Sequence, residues 1–374
     1  MSRVRLFICG DIVNSTPGVD FVEKKLIEVI KGVDYSICNL EGPELYDGST
    51  GNFPHQEKGT IHYLANVGFN LFLLANNHIT ELGESGVRNT INTIKHNGAD
   101  YIGAGLSWEE AYRPLIRNVG GKKLGLVNIC EAQVGQYKEK TQAFGYAWMG
   151  YDRLFDDVKD LSLQCDIVAV FVHAGLEHYI IPLPEIRIFY KKLCDAGASF
   201  VIGGHTHTAQ GYEYYNNSLI LYSLGNFYFP QSNRENENKS YSIILDIEDN
   251  GRLTVTPVFH SSNQNIVFNE NLPANRVALN DLCNILNEEY EVESERMCIK
   301  AYDNLCSRLL AEASYGVYNG QPYISWLKQT LQYILFHKRY FKKSQLYRDA
   351  LMLRLFENES YRWTIINALK SRLK

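Results

Sequence analysis

The chain has 374 residues, of which 45% are hydrophobic and 21% charged, and a formal net charge of −5. Those figures exclude a disordered, collagen-like or low-complexity protein and leave room for one large domain plus an appendage. No window approaches the roughly 20 apolar residues that a membrane-spanning helix needs.

Short β-branched and aromatic runs recur from the start, bounded by Gly, Asn or Asp. The predicted strands are Val4–Cys9, Tyr35–Asn39, Leu71–Ala75, Lys123–Cys130, Ile167–His173, Phe200–Gly203, Ser218–Leu224, Tyr241–Ile247 and Leu253–Phe259. Runs such as DIVAVFVH are apolar throughout, as strands covered on both faces are. Between them the spacing predicts helices over Val22–Ile30, Glu84–Asn97, Tyr151–Leu163 and Glu185–Ala196. Alternation of this kind predicts a layered α/β domain over residues 1–265, ending in a hairpin at Glu248-Asp249-Asn250-Gly251.

From about residue 275 the pattern changes to long helical stretches, predicting a helical C-terminal subdomain over 275–374, with Leu327, Leu331, Ile334 and Leu335 as an apolar stripe. Pro322–Lys374 carries eleven Lys/Arg against three Asp/Glu, so 11 − 3 = +8. Two readings are open: a docking surface for an acidic partner or an anionic membrane face, or a plain solvated helical surface. No specific nucleic-acid partner is predicted. The eight cysteines form no C-x-x-C pair and several sit in apolar runs, which fits buried free thiols in a reducing compartment. MSRVRLFICGD enters a strand with no basic leader, so the expected location is cytoplasmic.

Five segments place a metal-ligand residue type just past the end of an apolar strand. They are ICGD (Asp11), ICNLEG (Asn39, Glu41), LANNH (Asn76, Asn77, His78), FVHAGLEH (His173, Glu177, His178) and VIGGHTH (His205, His207). Ligands gather outside the carboxyl ends of strands in open α/β sheets. Each signal alone is weak, since a lone histidine after a strand is more often structural; His55, His62, His96, His260 and His337 belong in that class. Five together form a constellation.

The order Asp, Asn-x-Glu, Asn-Asn-His, His, Gly-His-x-His resembles the calcineurin-like metallophosphoesterase superfamily, and within it the CapA (PGA_cap) family, named for capsule and poly-γ-glutamate synthesis. The likeness rests on Gly10-Asp11, Asn39–Pro43, Ala75–Gly83, Gly103–Gly105, His173–Glu177, the GHTH run with Gln210 following, and YSLGNFYF at Tyr222–Phe229. It covers roughly residues 4–260. It implies a metallophosphoesterase-like sandwich, two mixed β-sheets flanked by helices. It further implies two divalent ions (Mn, Fe or Zn): Asp11 and His207 on one, Asn77, His173 and His205 on the other, and Glu41 where the superfamily places its bridging Asp. His78 would meet the scissile group as an acid or hydrogen-bond donor, with Asn77 beside it, and Glu177 would either orient His173 or meet the substrate. The superfamily's opening Asp-x-His is Asp11-Ile12-Val13 here, which implies a weaker first site. Glu81 stands where the family usually has Asp, and Thr206 where Pro is common.

A mixed carboxylate, amide and imidazole set suits such ions better than a structural zinc, which prefers thiolates. With two carboxylates counted, the loaded cluster is net positive and predicts an anionic small-molecule or polymer substrate. The loops Gly42–Gly59 and Glu131–Met149 read equally as substrate-recognition loops or plain surface, with His55 and Lys58 as anion candidates in the first. The functional expectation is a metal-dependent phosphoester hydrolase of a capsule or surface-polymer pathway. Its alternatives are an enzyme or accessory factor acting on poly-γ-glutamate or a related amide polymer, and a non-catalytic scaffold with a basic docking tail.

Overall fold

The computed structural model describes residues 3–18, 20–230, 240–263, 266–269, 273–315 and 341–374. They fall into two compact units, Met1–Tyr290 and Glu291–Lys374. The first unit carries β1 (Arg3–Ile12), β2 (Tyr35–Leu40), β3 (Leu71–Leu73), β4 (Asp100–Ile102), β5 (Ala104–Gly105), β6 (Leu115–Val119), β7 (Lys122–Cys130) and β8 (Gly145–Tyr146). It continues with β9 (Ile167–His173), β10 (Phe200–Gly204), β11 (Tyr212–Tyr215), β12 (Ser218–Leu221), β13 (Asn226–Tyr228), β14 (Ser240–Glu248), β15 (Leu253–Asn263) and β16 (Ile266–Asn269).

One sheet runs β16-β15-β14-β1-β2-β3-β4, with β13 pairing the end of β1; the other runs β11-β12-β10-β9-β7-β6. Both are mixed. β1 to β4 are mutually parallel while β14 is antiparallel to β1. In the second sheet β7, β9, β10 and β12 are parallel, flanked by antiparallel β6 and β11. This is the layered α/β sandwich the sequence predicts.

The apolar runs are continuous because both faces are covered. Along β1, Leu6 and Ile8 turn toward Leu126, Phe171 and Ile202 of the second sheet. Phe7 and Cys9 turn the other way, to Leu26, Ile61, Leu64, Val87 and Ile91 on the flanking helices. Each such side chain contributes on the order of 1.5–3 kcal/mol by leaving water. The strand period of two thus sorts one unbroken run into two cores.

Helices Gly83–His96 and Pro184–Asp195 lie within one residue of the predicted spans. The predicted helix Val22–Ile30 instead runs Lys24–Lys31, because Val22 bridges Val267 and the Glu23 N–H donates to the Val267 carbonyl. The sequence reading missed β6. It pairs with β7 through Gly120-Gly121, whose φ values of 55° and 86° suit a two-residue hairpin turn.

The expected boundary near 275 moves. Helix Pro273–Asn284 belongs to the first unit, where Leu279 is buried and the Tyr212 N–H donates to Cys283 Sγ at 3.4 Å. Tyr290 closes the unit, its hydroxyl donating to the Pro182 carbonyl at 3.0 Å.

In the second unit, helices Ser307–Tyr315 and Phe341–Glu357 are tied by Tyr347 Oη donating to Glu312 Oε1 (2.9 Å) and Arg348 Nε donating to the Ala313 carbonyl (3.0 Å). Asn358 caps Glu359–Arg372 by accepting from the Tyr361 N–H at 2.8 Å, and Arg372 pairs with Asp303. Among the described residues, four of the eleven basic residues, Arg348, Arg362, Arg372 and Lys374, are engaged within the unit. The predicted stripe Leu327, Leu331, Ile334 and Leu335 lies outside the described residues, as does His337. Among the described residues no helix is long and apolar enough to cross a membrane. All eight cysteines are free thiols, six of them buried.

Candidate metal centre

Register brings the strand ends together. Asp11 pairs with Asn39 of β2 and Asn226 of β13, while His173 pairs with Cys130 of β7 and Gly204 of β10. Two glycines permit the close approach: a Cβ on Gly10 would stand 1.8 Å from the Gly225 carbonyl oxygen, and one on Gly203 2.1 Å from that of Tyr222. The turn after β10 is strained. His205 and His207 have φ of 81° and 58°, and His178 beside them 70°. Among the described residues, three of the four positive-φ residues other than glycine sit here, where backbone strain aims side chains rather than relaxing.

Glu41 is the hub. It is fully buried and neither carboxylate oxygen has a hydrogen-bond partner. Its Oε1 lies 3.9 Å from His173 Nε2 and 3.7 Å from His78 Nε2, and its Oε2 lies 3.9 Å from His207 Nδ1. Glu41, His173 and His205 form one group whose ligand atoms all lie within 4.8 Å of one another, and Asp11, Glu41 and His207 form a second. Asn77 joins the first, with Oδ1 3.0 Å from His173 Nε2, which lies 3.2 Å from His205 Nδ1. In the second, Asp11 Oδ2 is 3.7 Å from His207 Nδ1. All six residues expected as metal ligands therefore converge.

The electrostatics fit divalent metal. A bare carboxylate buried without donors is costly, and a cation between the groups would satisfy Glu41, Asp11 and the facing imidazole nitrogens at once. Burial, with the Asp11 charge adding to it against the neighbouring histidines, pushes the Glu41 carboxyl up to about 7. Burial likewise raises that of Asp11. Burial pushes His205 down to about 3 and holds His173 well below the ordinary range, so both offer lone pairs at neutral pH. His207 goes the other way: burial opposes its proton, but Glu41 and Asp11 outweigh it and raise it to about 9.

The neighbours fix this geometry. Asn39 Nδ2 donates to Asp11 Oδ1 at 2.6 Å and lies 3.2 Å from His173 Nδ1. Asn226 Oδ1 is 3.0 Å from His207 Nδ1. Asn76 is a clamp, accepting from the Gly42 N–H and donating to the Leu40 carbonyl. His78 sits at the mouth, its Nε2 3.1 Å from Asn77 Nδ2 and its Nδ1 2.8 Å from Glu81 Oε1. Glu177 lies against His205 Nε2 (3.8 Å) and His178 Nε2 (3.6 Å), so among the expected ligands the one beside it is His205 and not the predicted His173.

The sequence reading missed the roles of Glu131, Glu81 and Asn226. Glu131 directly follows the β7 strand end, so the rule that found the others would have found it. It is fully buried, its Oε1 3.7 Å from His205 Nε2. With Glu131 and Glu177 beside the cluster, the charge of a loaded centre is less positive than a count of two carboxylates implies. Of the anion candidates of the first loop, Lys58 Nζ pairs with Asp47 at 2.7 Å on the exposed surface, and His55 Nδ1 lies 2.7 Å from the Phe53 carbonyl. The second loop is anchored by Tyr137 and Tyr146, both fully buried.

Residues 6–231 match the family described as bacterial capsule synthesis protein PGA_cap. The chain belongs to that family. Among its PGA_cap relatives, the capsule biosynthesis protein CapA of Bacillus anthracis is 29% identical over 255 residues, 64% of this chain and 62% of that protein. The PGA biosynthesis protein CapA of Bacillus subtilis (strain 168) is 25% identical over 253 residues, 66% of this chain and 67% of that protein. The chain thus spans less than two thirds of the first relative's length. Among solved structures, a 5'-nucleotidase precursor from Thermus thermophilus aligns at TM-score 0.43 with 11% identity, covering 80% of this chain and 59% of that one.

Proposed function

We propose that this PGA_cap chain is a hydrolase working with two divalent metal ions, and that it cleaves a phosphoester in a capsule or surface-polymer pathway. The observation that carries the reading is Glu41, a buried carboxylate without a hydrogen-bond donor, shared by two groups of ligand atoms. Asp11, Glu41 and His207 would hold one ion, and Glu41, Asn77, His173 and His205 the other; the donor types suit Mn, Fe or Zn. Bound there, such ions would supply a water of lowered pKa and offset charge on the phosphoryl oxygens.

The chain's own residues orient and move protons. Glu81 holds His78 by Nδ1, which leaves Nε2 facing the centre, where it can hydrogen-bond the leaving oxygen or protonate it. Asn77 Nδ2, a donor 3.1 Å from that Nε2, holds it only while it is unprotonated and gives way when it carries the proton, while Asn77 Oδ1 faces the cluster. Glu177, at the mouth, lies against His205 and His178, where it can meet the substrate.

The Bacillus subtilis relative is named for PGA biosynthesis. That supports a second reading, in which the same site acts on poly-γ-glutamate or a related amide polymer, or serves its assembly. One experiment separates the two: protein loaded with Mn²⁺ is given an aryl phosphodiester, an aryl phosphomonoester and poly-γ-glutamate, the last read by polymer length. His205→Ala should remove whichever activity appears. No turnover of any of the three with Mn, Fe or Zn sinks the hydrolase reading.

A further inference from the structure

We propose that Glu131 is a positioning residue for His205, its buried carboxylate taking the imidazole proton on Nε2 and so turning the Nδ1 lone pair toward His173 and Asn77. The inference rests on the metal-centre reading above and names a residue that reading does not use as a ligand.

The arm that carries Glu131 is rigid. Its N–H donates to the His173 carbonyl at 3.1 Å, which ties the end of β7 to the end of β9. The Tyr146 hydroxyl, fully buried, donates to the Glu131 carbonyl at 2.9 Å and accepts from the Gln133 N–H at 3.0 Å. The side chain is equally fixed. Oε2 accepts from the Gly175 N–H at 3.2 Å, and Oε1 from Gln133 Nε2 at 3.0 Å. Oε1 is also the atom 3.7 Å from His205 Nε2.

The proton count then decides the role. A neutral imidazole that ligates through Nδ1 carries its one proton on Nε2, and that proton needs an acceptor. Around His205 Nε2 stand Glu131 Oε1 at 3.7 Å, Glu177 Oε1 at 3.8 Å and the Gln133 amide nitrogen at 3.0 Å. The amide nitrogen is a donor, so it competes for the place rather than filling it. The Glu177 side chain is 36% exposed while that of Glu131 is 0% exposed. A carboxylate sheltered from water and held through Oε2 by the Gly175 N–H keeps its place when the Gln133 amide leaves Oε1, whereas one at the mouth is shared with solvent and substrate. Loading the centre therefore requires the Gln133 amide to swing aside and His205 Nε2–H to close on Glu131.

The test uses zinc, which is diamagnetic, and the full chain. In zinc-loaded protein labelled with ¹⁵N-histidine, His205 should carry its proton on Nε2; a proton on Nδ1 overturns the proposal without any variant. Glu131→Gln keeps the size and the acceptor for Gly175, and should weaken zinc binding by about 10- to 100-fold in calorimetric titration. Gln133→Ala removes the competing donor and should leave zinc affinity unchanged or tighter. Glu131→Gln binding zinc as tightly as wild type, or Gln133→Ala weakening it as much as Glu131→Gln, overturns the proposal. Wild-type protein with the expected ¹⁵N pattern but no hydrolysis of ester or amide would remove the hydrolase reading and leave this inference standing. Normal hydrolysis with an indifferent Glu131→Gln would do the reverse. A wild type that binds neither zinc, manganese nor iron removes both.

Discussion

His78 Nδ1 lies 2.8 Å from Glu81 Oε1, three residues further along the same turn, so the histidine at the mouth of the centre is held by a carboxylate of its own segment. A general acid of this kind contributes about 10²–10⁴-fold to a rate. His78→Ala should therefore lower kcat by about that factor. Glu81→Gln, which keeps the ring but removes the charge that orients it, should cost about 10- to 100-fold, as loss of an outer carboxylate partner does. Steady-state kinetics on an aryl phosphodiester gives both numbers; a Glu81→Gln enzyme as fast as wild type would detach Glu81 from the mechanism.

Chelation should destabilise the fold as well as silence it. Asp11 and Glu41 are both fully buried in the first unit, and the ions would neutralise them. At free metal about a hundredfold above Kd, loading adds about 3 kcal/mol to unfolding. Urea unfolding with and without a chelator reads this directly. Coincident curves for a protein shown to bind metal would contradict it.

Gly10→Ala should damage fold and centre together. The new Cβ would stand 1.8 Å from the Gly225 carbonyl oxygen, forcing β1 from the segment that carries Asn226, the partner of His207. Overpacking of this sort costs about 1–3 kcal/mol or more, seen as a lower melting temperature, and metal affinity should drop with it. Gly32→Ala, whose nearest contact would be 3.1 Å at the end of a helix, should leave metal binding alone.

His260 supplies a pH signature outside the centre. Buried on β15, with Nε2 2.8 Å from Ser242 Oγ, it is pushed by burial down to about 3. Its folded value lies below the unfolded one near 6.5, so the unfolded chain takes the proton first. Its contribution is thus complete above about pH 6.5 and is lost as pH falls toward 3, at about 1 kcal/mol per pH unit. In chelator, the stability gap between wild type and His260→Gln should shrink by about 2 kcal/mol from pH 7 to pH 5. A gap equal at both pH values would refute the assignment.

The convergence of the candidate ligands was largely legible in the sequence because they follow apolar strands, and a strand announces itself by composition over a handful of residues. DIVAVFVH ends on His173, VIGGHTH on His205 and His207, and all meet as the strand order requires. Glu131 obeys the same rule, but it opens a long polar loop, and a carboxylate there is the ordinary composition of a solvated loop. Short strands such as β5 and β8, two residues each, leave no periodic trace at all.

The sequence by itself determined the layered architecture and the chemical types at the strand ends, since both follow from local spacing and from covering a sheet on two faces. Only the tertiary structure decided that Glu177 lies against His205, that Glu131 stands behind the same ring, and that the first unit extends to Tyr290. The physical reason is that those relations are closed across different strands and loops. A chain's local period fixes which way a side chain leaves its own strand, and the packing of other segments fixes what it meets there.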